Sequence, residues 1–227
     1  MARLARIVVP DVAHHVTQRG NRRQPVFFSD GDYDAYRTLV TTACAANGVR
    51  CLAWCLMPNH VHLILVPSDP DGLRAALAEA HRRYSRGINA AHGWTGYLWQ
   101  GRFASYPMDD AHLLTAIRYV ELNPVKAKLV GHAEDWRWSS AAAHLTGKAD
   151  GLTDLAGTAG LYRNWRAMLR HGLEAGDVPA EEEAAIEARI RTGRPLGDEA
   201  FVEMLEAATG RGLKPRKRGP RAKTIVF

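Results

Sequence analysis

Two histidines at the mouth of an apolar run constrain this chain more than any other feature. The stretch is Met57-Pro58-Asn59-His60-Val61-His62-Leu63-Ile64-Leu65-Val66. Val49 to Leu56 reads as one strand, Pro58-Asn59 as a tight turn and His60 to Val66 as the returning strand of a hairpin. Side chains alternate across a strand, so His60 and His62 leave it on one face, about 6.6 Å apart, while Val61 enters the core. Two imidazoles at that spacing can converge on one cation, which makes the pair candidate metal ligands; the competing reading is a pair of ordinary strand histidines. Cys51 and Cys55 supply a rival zinc set with the same histidines, but Cys-x3-Cys is not the short knuckle of structural zinc sites.

The chain of 227 residues, 46% hydrophobic and 24% charged, is long enough for one core with some chain left for an appendage. No segment near the N-terminus resembles a signal peptide and no apolar run approaches the roughly 18 residues of a membrane span, so the expectation is a soluble intracellular protein with no membrane partner. Three cysteines, Cys44, Cys51 and Cys55, form no paired framework and read as small buried apolar residues. A net charge of +6 favours an anionic polymer as partner, and its distribution matters more than its total. Arg19, Arg22 and Arg23 crowd one turn. Arg82, Arg83 and Arg86, with Arg74 and His81, share the polar face of a helix from Leu73 to Asn89, and Arg102 lies inside an aromatic segment. From Arg211 to Phe227 the tail carries Arg216, Lys217, Arg218 and Arg221 among seven cations and no acidic residue. Each cluster is either a solvated surface or a set of phosphate contacts.

The remaining pattern outlines an α+β chain. Val12 to Gln18 reads as a strand, and Ser29 or Asp30 caps a helix over about residues 31–46 that Asn47-Gly48 closes. Tyr97 to Tyr106 reads as a further strand. Asp109 or Asp110 then caps a helix with Leu113, Ala116, Ile117 and Val120 as its apolar stripe. Tyr119 flanks that stripe and Asn123 stands one turn later on the same face, so the two side chains approach the same object; Pro124 marks a kink or boundary. From spacing alone Tyr119 reads equally as a packing tyrosine. Asp150 to Gly160 reads as a linker, followed by helices near residues 161–171, 179–191 and 198–208. Three units follow: residues 1–148 as the principal domain, 149–210 as linker and helices, and 211–227 as a basic tail.

Four segments carry a resemblance. His14-His15-Val16-Thr17-Gln18-Arg19-Gly20-Asn21, Cys55-Leu56-Met57-Pro58-Asn59-His60-Val61-His62-Leu63, Leu98-Trp99-Gln100-Gly101-Arg102-Phe103 and Arg118-Tyr119-Val120-Glu121-Leu122-Asn123-Pro124-Val125-Lys126-Ala127 closely resemble the IS200-like Y1 (HUH) tyrosine transposases. More narrowly they look like the branch associated with repetitive extragenic palindromes. The match covers about residues 12–145 in consistent order. Lys126 stands where the family more often has arginine, which keeps the charge and weakens bidentate phosphate contact.

The resemblance implies a ferredoxin-like antiparallel sheet with helices on one face, extended at the C-terminus by helices and basic residues. It implies that His60 and His62 bind a divalent cation, Mn²⁺ or Mg²⁺, with Asn123 as a third ligand or neighbour, and that Tyr119 is the nucleophile. The activity implied is single-stranded DNA cleavage and strand transfer at hairpin-forming elements through a 5′-phosphotyrosine, with Arg19, Arg22, Arg23, Arg82, Arg83, Arg86, Arg102, Lys126 and the tail cations contacting DNA. No small-molecule cofactor is expected, and the protein is expected in the bacterial cytoplasm at the nucleoid as a monomer or homodimer. Two other readings use the same residues: a replication initiator or relaxase, and a hairpin-binding protein that keeps the fold without cleavage.

Overall fold

In the computed structural model, residues 5–174 and 180–214 are described. Four strands, β1 (Ala13–Arg19), β2 (Val49–Met57), β3 (His60–Pro67) and β4 (Ala104–Met108), form one sheet in the order β2-β3-β1-β4 with every neighbour antiparallel. Helix α1 (Asp30–Ala46) connects β1 to β2, and α2 (Gly72–His92) connects β3 to β4. This is the ferredoxin-like βαββαβ arrangement, followed by α3 (Asp110–Lys126), α4 (Ala141–Thr146), α5 (Leu155–Thr158), α6 (Trp165–Glu174), α7 (Ala180–Thr192) and α8 (Glu199–Thr209).

Local chemistry sets the helix ends. The Ser29 hydroxyl accepts from the Asp32 amide while the Asp32 carboxylate accepts from the Ser29 amide at 2.8 Å, a reciprocal box that satisfies two otherwise orphaned donors at the start of α1. Asp109 accepts from the His112 amide at 3.0 Å and starts α3. Pro124 lies in the last turn of α3, which ends two residues later at Lys126.

The two crossover helices α1 and α2 lie on one face of the sheet, as expected, and the helices after β4 cover the other. Val16, Trp54, Leu56, Val61, Leu63 and Leu65 pack under α1 and α2, whereas Ile64, Val66, Tyr106 and Met108 pack under α3 with Leu113, Ile117 and Val120. The reason is visible in β3, all eight residues of which are buried; a strand buried on both faces must be covered twice. Each fully buried aliphatic side chain contributes about 1.5–3 kcal/mol, so the second layer is not optional. A bulge between Cys51 and Ala53 shifts the register of β2. It puts Cys51 under α1 and α2 and Cys55 on the α3 face, so the two thiols cannot share a metal with His60 and His62.

Three further expectations change. The strand expected over residues 97–106 is confined to β4, because Leu98, Trp99 and Phe103 fold back into the α1–α2 layer and the backbone there bonds to the end of β1 (Gln100 N to Arg19 O, 2.9 Å). The linker expected at 150–160 lies along the outer edge of β2, where the Trp54 indole donates to Asp150 at 2.9 Å and the Asp154 amide donates to Cys51 O at 2.7 Å. That edge would otherwise be open to strand addition. The start of the expected tail is also fixed: Arg211 donates to the Arg6 carbonyl, Leu213 is buried against Ile7 and Leu205, and the Lys214 ammonium bridges Glu199 and Glu203.

Candidate active site

The α3 face of the sheet stops being apolar at one end. There β3 contributes His60 and His62, and its partner β1 contributes His15, Thr17 and Arg19, with Thr17 opposite His62 and Arg19 opposite His60. Gly20 follows Arg19 because the chain must turn tightly: a side-chain carbon at this position would lie 2.2 Å from the Gln24 carbonyl. The loop after it clasps the hairpin turn through Val26 N to Pro58 O at 2.9 Å and Asn59 Nδ2 to Arg23 O at 3.0 Å.

The two rings lie 4.9 Å apart between centroids and nearly perpendicular. Each has one nitrogen engaged. His60 Nδ1 meets Asn59 Oδ1 at 2.6 Å, and His62 Nδ1 meets His15 Nε2 at 2.9 Å; Nε2 of each ring makes no hydrogen bond among the described residues. Burial, with the charge of Arg19 added, lowers the His60 pKa to about 3, and burial with the neighbouring histidines and Arg19 holds His62 well below its ordinary value. Both rings are therefore neutral at neutral pH, as a cation ligand must be.

Helix α3 brings Tyr119 over this pair, its ring 5.6 Å from that of His62 and 6.1 Å from that of His15. Burial raises the Tyr119 hydroxyl above its ordinary pKa; a hydrogen bond with Asn123 opposes the shift, Glu187 adds to it and Arg19 opposes it. The Asn123 amide nitrogen donates to the Tyr119 carbonyl at 3.4 Å, which leaves the amide oxygen for another partner. The Lys126 ammonium lies 5.7 Å from the centre of the Tyr119 ring. Two neutral imidazole nitrogens and one amide oxygen fit a borderline-hard divalent cation that keeps open positions. Among the described residues no cluster of three His, Cys, Asp or Glu is placed to hold a metal, so a site at His60 and His62 would need a donor of another kind, such as the Asn123 amide.

His60, His62, Tyr119 and Asn123 line a cavity of about 860 Å³ together with Arg19, Arg23, Gln100, Arg102 and, from α7, Glu187, Ile190 and Arg191. A family model described as "Transposase IS200 like" matches residues 8–123, which is more than half of the chain and includes His60, His62, Tyr119 and Asn123. The chain belongs to the IS200-like transposase family. A relative from Haemophilus influenzae, named a putative REP-associated tyrosine transposase, is 26% identical over 121 residues, covering 48% of this chain and 69% of its own. A solved structure, described as the REP-associated tyrosine transposase bound to a REP hairpin, has the same fold. It is 21% identical with a TM-score of 0.55 over 72% of this chain and 94% of its own.

In this IS200-like transposase the cationic candidates separate into two groups. Arg19, Arg23 and Arg102 line the cavity and Lys126 stands beside Tyr119, while Arg22 is exposed on the loop. Arg82, Arg83 and Arg86 are exposed on α2, across the sheet, and Arg82 is paired with Glu79 at 2.8 Å. Arg102 and Gln100 also line a second groove of about 690 Å³ that holds Arg82 and Tyr97, so the two regions are continuous. Arg216, Lys217, Arg218 and Arg221 fall outside the described residues. Sequence reasoning missed His15 and the α7 wall. His15 was legible in principle, since it shares a strand face with Thr17 and Arg19; nothing local marks Glu187 or Arg191, which arrive by packing of the extension.

Proposed function

We propose that the chain is a transposase that cuts and rejoins single-stranded DNA at hairpin-forming repetitive extragenic palindromic elements, through a 5′-phosphotyrosine on Tyr119. The observation that carries the reading is the convergence of α3 on β3: a tyrosine and an amide one turn apart, facing two neutral imidazoles across a basic cavity. The hairpin named with the solved relative supports the choice of partner.

His60, His62 and Asn123 would hold a divalent cation, Mn²⁺ or Mg²⁺, whose charge on a nonbridging phosphate oxygen would lower the cost of attack. Arg19, Arg23 and Arg102 hold the phosphodiester by charge at the cavity wall. Tyr119 oxygen forms the new bond to phosphorus and loses its proton; the P–O3′ bond breaks, and the departing oxygen takes up a proton as a free 3′-hydroxyl. The phosphotyrosine keeps the ester-bond energy, so a second 3′-hydroxyl can restore a DNA strand without a nucleotide triphosphate. Because burial raises the Tyr119 pKa, the positive charge of Arg19 and the Asn123 hydrogen bond act in the direction that makes it a nucleophile.

End-labelled single-stranded hairpin DNA incubated with protein and Mn²⁺ should give a covalent adduct that EDTA prevents. His60→Ala and His62→Ala should each reduce it to background with folding intact. Adduct that forms equally with and without EDTA would remove the metal from the reading, and binding without any adduct would leave a hairpin-binding protein.

A further inference from the structure

Three buried side chains run in a line behind the metal-binding edge of the site. Tyr106 Oη lies 2.9 Å from His15 Nδ1, and His15 Nε2 lies 2.9 Å from His62 Nδ1. His15 and Tyr106 are fully buried and His62 nearly so, and His15 sits on β1 between the strands that carry the other two. Neither His15 nor Tyr106 is a cation ligand in the arrangement described above.

We propose that His15 is a positioning residue: it accepts the Nδ1 proton of His62 and so keeps the His62 Nε2 lone pair free for the cation. The inference rests on the reading that His60 and His62 bind a metal. A neutral imidazole carries one proton, and a 2.9 Å approach of two ring nitrogens has room for one. Two arrangements satisfy this geometry. In one, His62 donates from Nδ1 to His15, His15 donates from Nδ1 to Tyr106, and His62 Nε2 is bare. In the other every bond is reversed, and His62 Nε2 carries a proton that blocks a cation. The cavity that His62 lines carries Arg19, Arg23, Arg102 and Arg191 against the single carboxylate of Glu187, so a proton is held less well on that side than on the side facing His15. His60 has the simpler version of the same device, since the Asn59 amide oxygen accepts from its Nδ1. Such outer partners typically alter metal affinity by about 10–100-fold when removed.

Two measurements test this. In the metal-free wild-type protein at neutral pH, ¹⁵N shifts of the His62 ring should report a protonated Nδ1 and a bare Nε2; a proton on Nε2 overturns the proposal whether or not metal binds. Mn²⁺ binding, followed by the electron-spin signal of the free ion, should weaken about 10–100-fold in His15→Phe, which keeps a ring and removes the acceptor. His15→Gln, whose amide oxygen can accept the same proton, should recover most of that affinity. Equal affinity in His15→Phe and wild type, or equal weakening in both variants, overturns the proposal, the second outcome assigning His15 to packing alone. Wild-type protein that binds no Mn²⁺ while showing the expected tautomer would instead remove the metal reading and leave the role of His15 in setting the His62 proton.

Discussion

The two faces of the sheet are built from the same strands, yet one is closed and the other opens into a basic cavity. Both bury histidine. Under α1 and α2, His14 uses both ring nitrogens on the backbone, accepting from the Val9 amide at 3.3 Å and donating to the Val12 carbonyl at 2.7 Å, and His81 Nε2 meets the Tyr36 hydroxyl at 2.9 Å. Burial lowers these two to about 4 and about 3, close to the value of about 3 for both His15 and His60 on the other face. A depressed pKa therefore does not distinguish a structural histidine from a working one. What differs is the fate of the second nitrogen: His14 spends it on the backbone, while His60 and His62 keep one on the side of a basic cavity.

The largest test of that contrast is a pair of tyrosines. Tyr119→Phe should reduce covalent adduct to background while binding and melting temperature stay near wild type. Tyr36→Phe on the closed face should do the reverse, retaining adduct and costing about 1–2 kcal/mol of stability as its bond to His81 disappears. Adduct formed normally by Tyr119→Phe would dissolve the distinction between the faces.

Acid should strike the closed face measurably. His14 and His81 have folded-state pKa values below the ordinary 6.5, so as pH falls the unfolded chain takes up protons first. Their contribution is full above about pH 6.5 and is lost as pH falls through the folded-state values near 4 and 3. The His14 share is on the order of 3 kcal/mol. Denaturant unfolding between pH 7 and 4 should show the decline, and His14→Gln should flatten part of it; an identical slope in the variant would mean that other groups carry the acid response.

A smaller effect is expected from the tail. Since Arg211, Leu213 and Lys214 are docked on the body, the cut belongs after Lys214. Removing residues 215–227 should weaken hairpin binding several-fold and reduce the slope of log affinity against log salt by about 0.7–0.9 for each phosphate that the shortened chain no longer neutralises. Unchanged slope would make these cations bystanders. Smallest of all, Arg82→Gln on α2 should change affinity by less than about threefold, because that guanidinium is exposed and already paired with Glu79.

Much of the catalytic half was legible from period and punctuation. The His-x-His strand, its two-residue turn, the Ser29 and Asp109 caps and the four-residue step from Tyr119 to Asn123 are short-range features, and the structure gives each of them the expected element. The errors share a cause, which is long-range packing. Nothing local announces that Cys51 and Cys55 straddle a bulge, or that the aromatics at 98–103 leave the strand for the helical layer. Likewise residues 150–154 read as a linker because their partners, Cys51 and Trp54, lie about a hundred positions away. The second covered face follows from the unbroken apolar run of β3, a signal present in the sequence but read only as burial.

One residue of α3 gives the extension a different status. Glu121, two places after Tyr119, is fully buried, and its carboxylate accepts from Ser140 Oγ at 2.6 Å, from Trp165 Nε1 at 2.9 Å and from His144 Nδ1 at 2.5 Å. All three partners lie beyond residue 123, where the family match ends. Ending the chain there removes these partners together with Trp165, Met168 and Leu169, which cover the outer side of α3, and each large apolar side chain left uncovered costs about 1.5–3 kcal/mol, a large share of the stability of an ordinary domain. An excised unit stopping at the family boundary would thus destabilise the very helix that carries Tyr119. The family's shared core and this protein's smallest self-sufficient fragment are different objects, and any attempt to graft, shuffle or miniaturise the enzyme has to take the second as its unit.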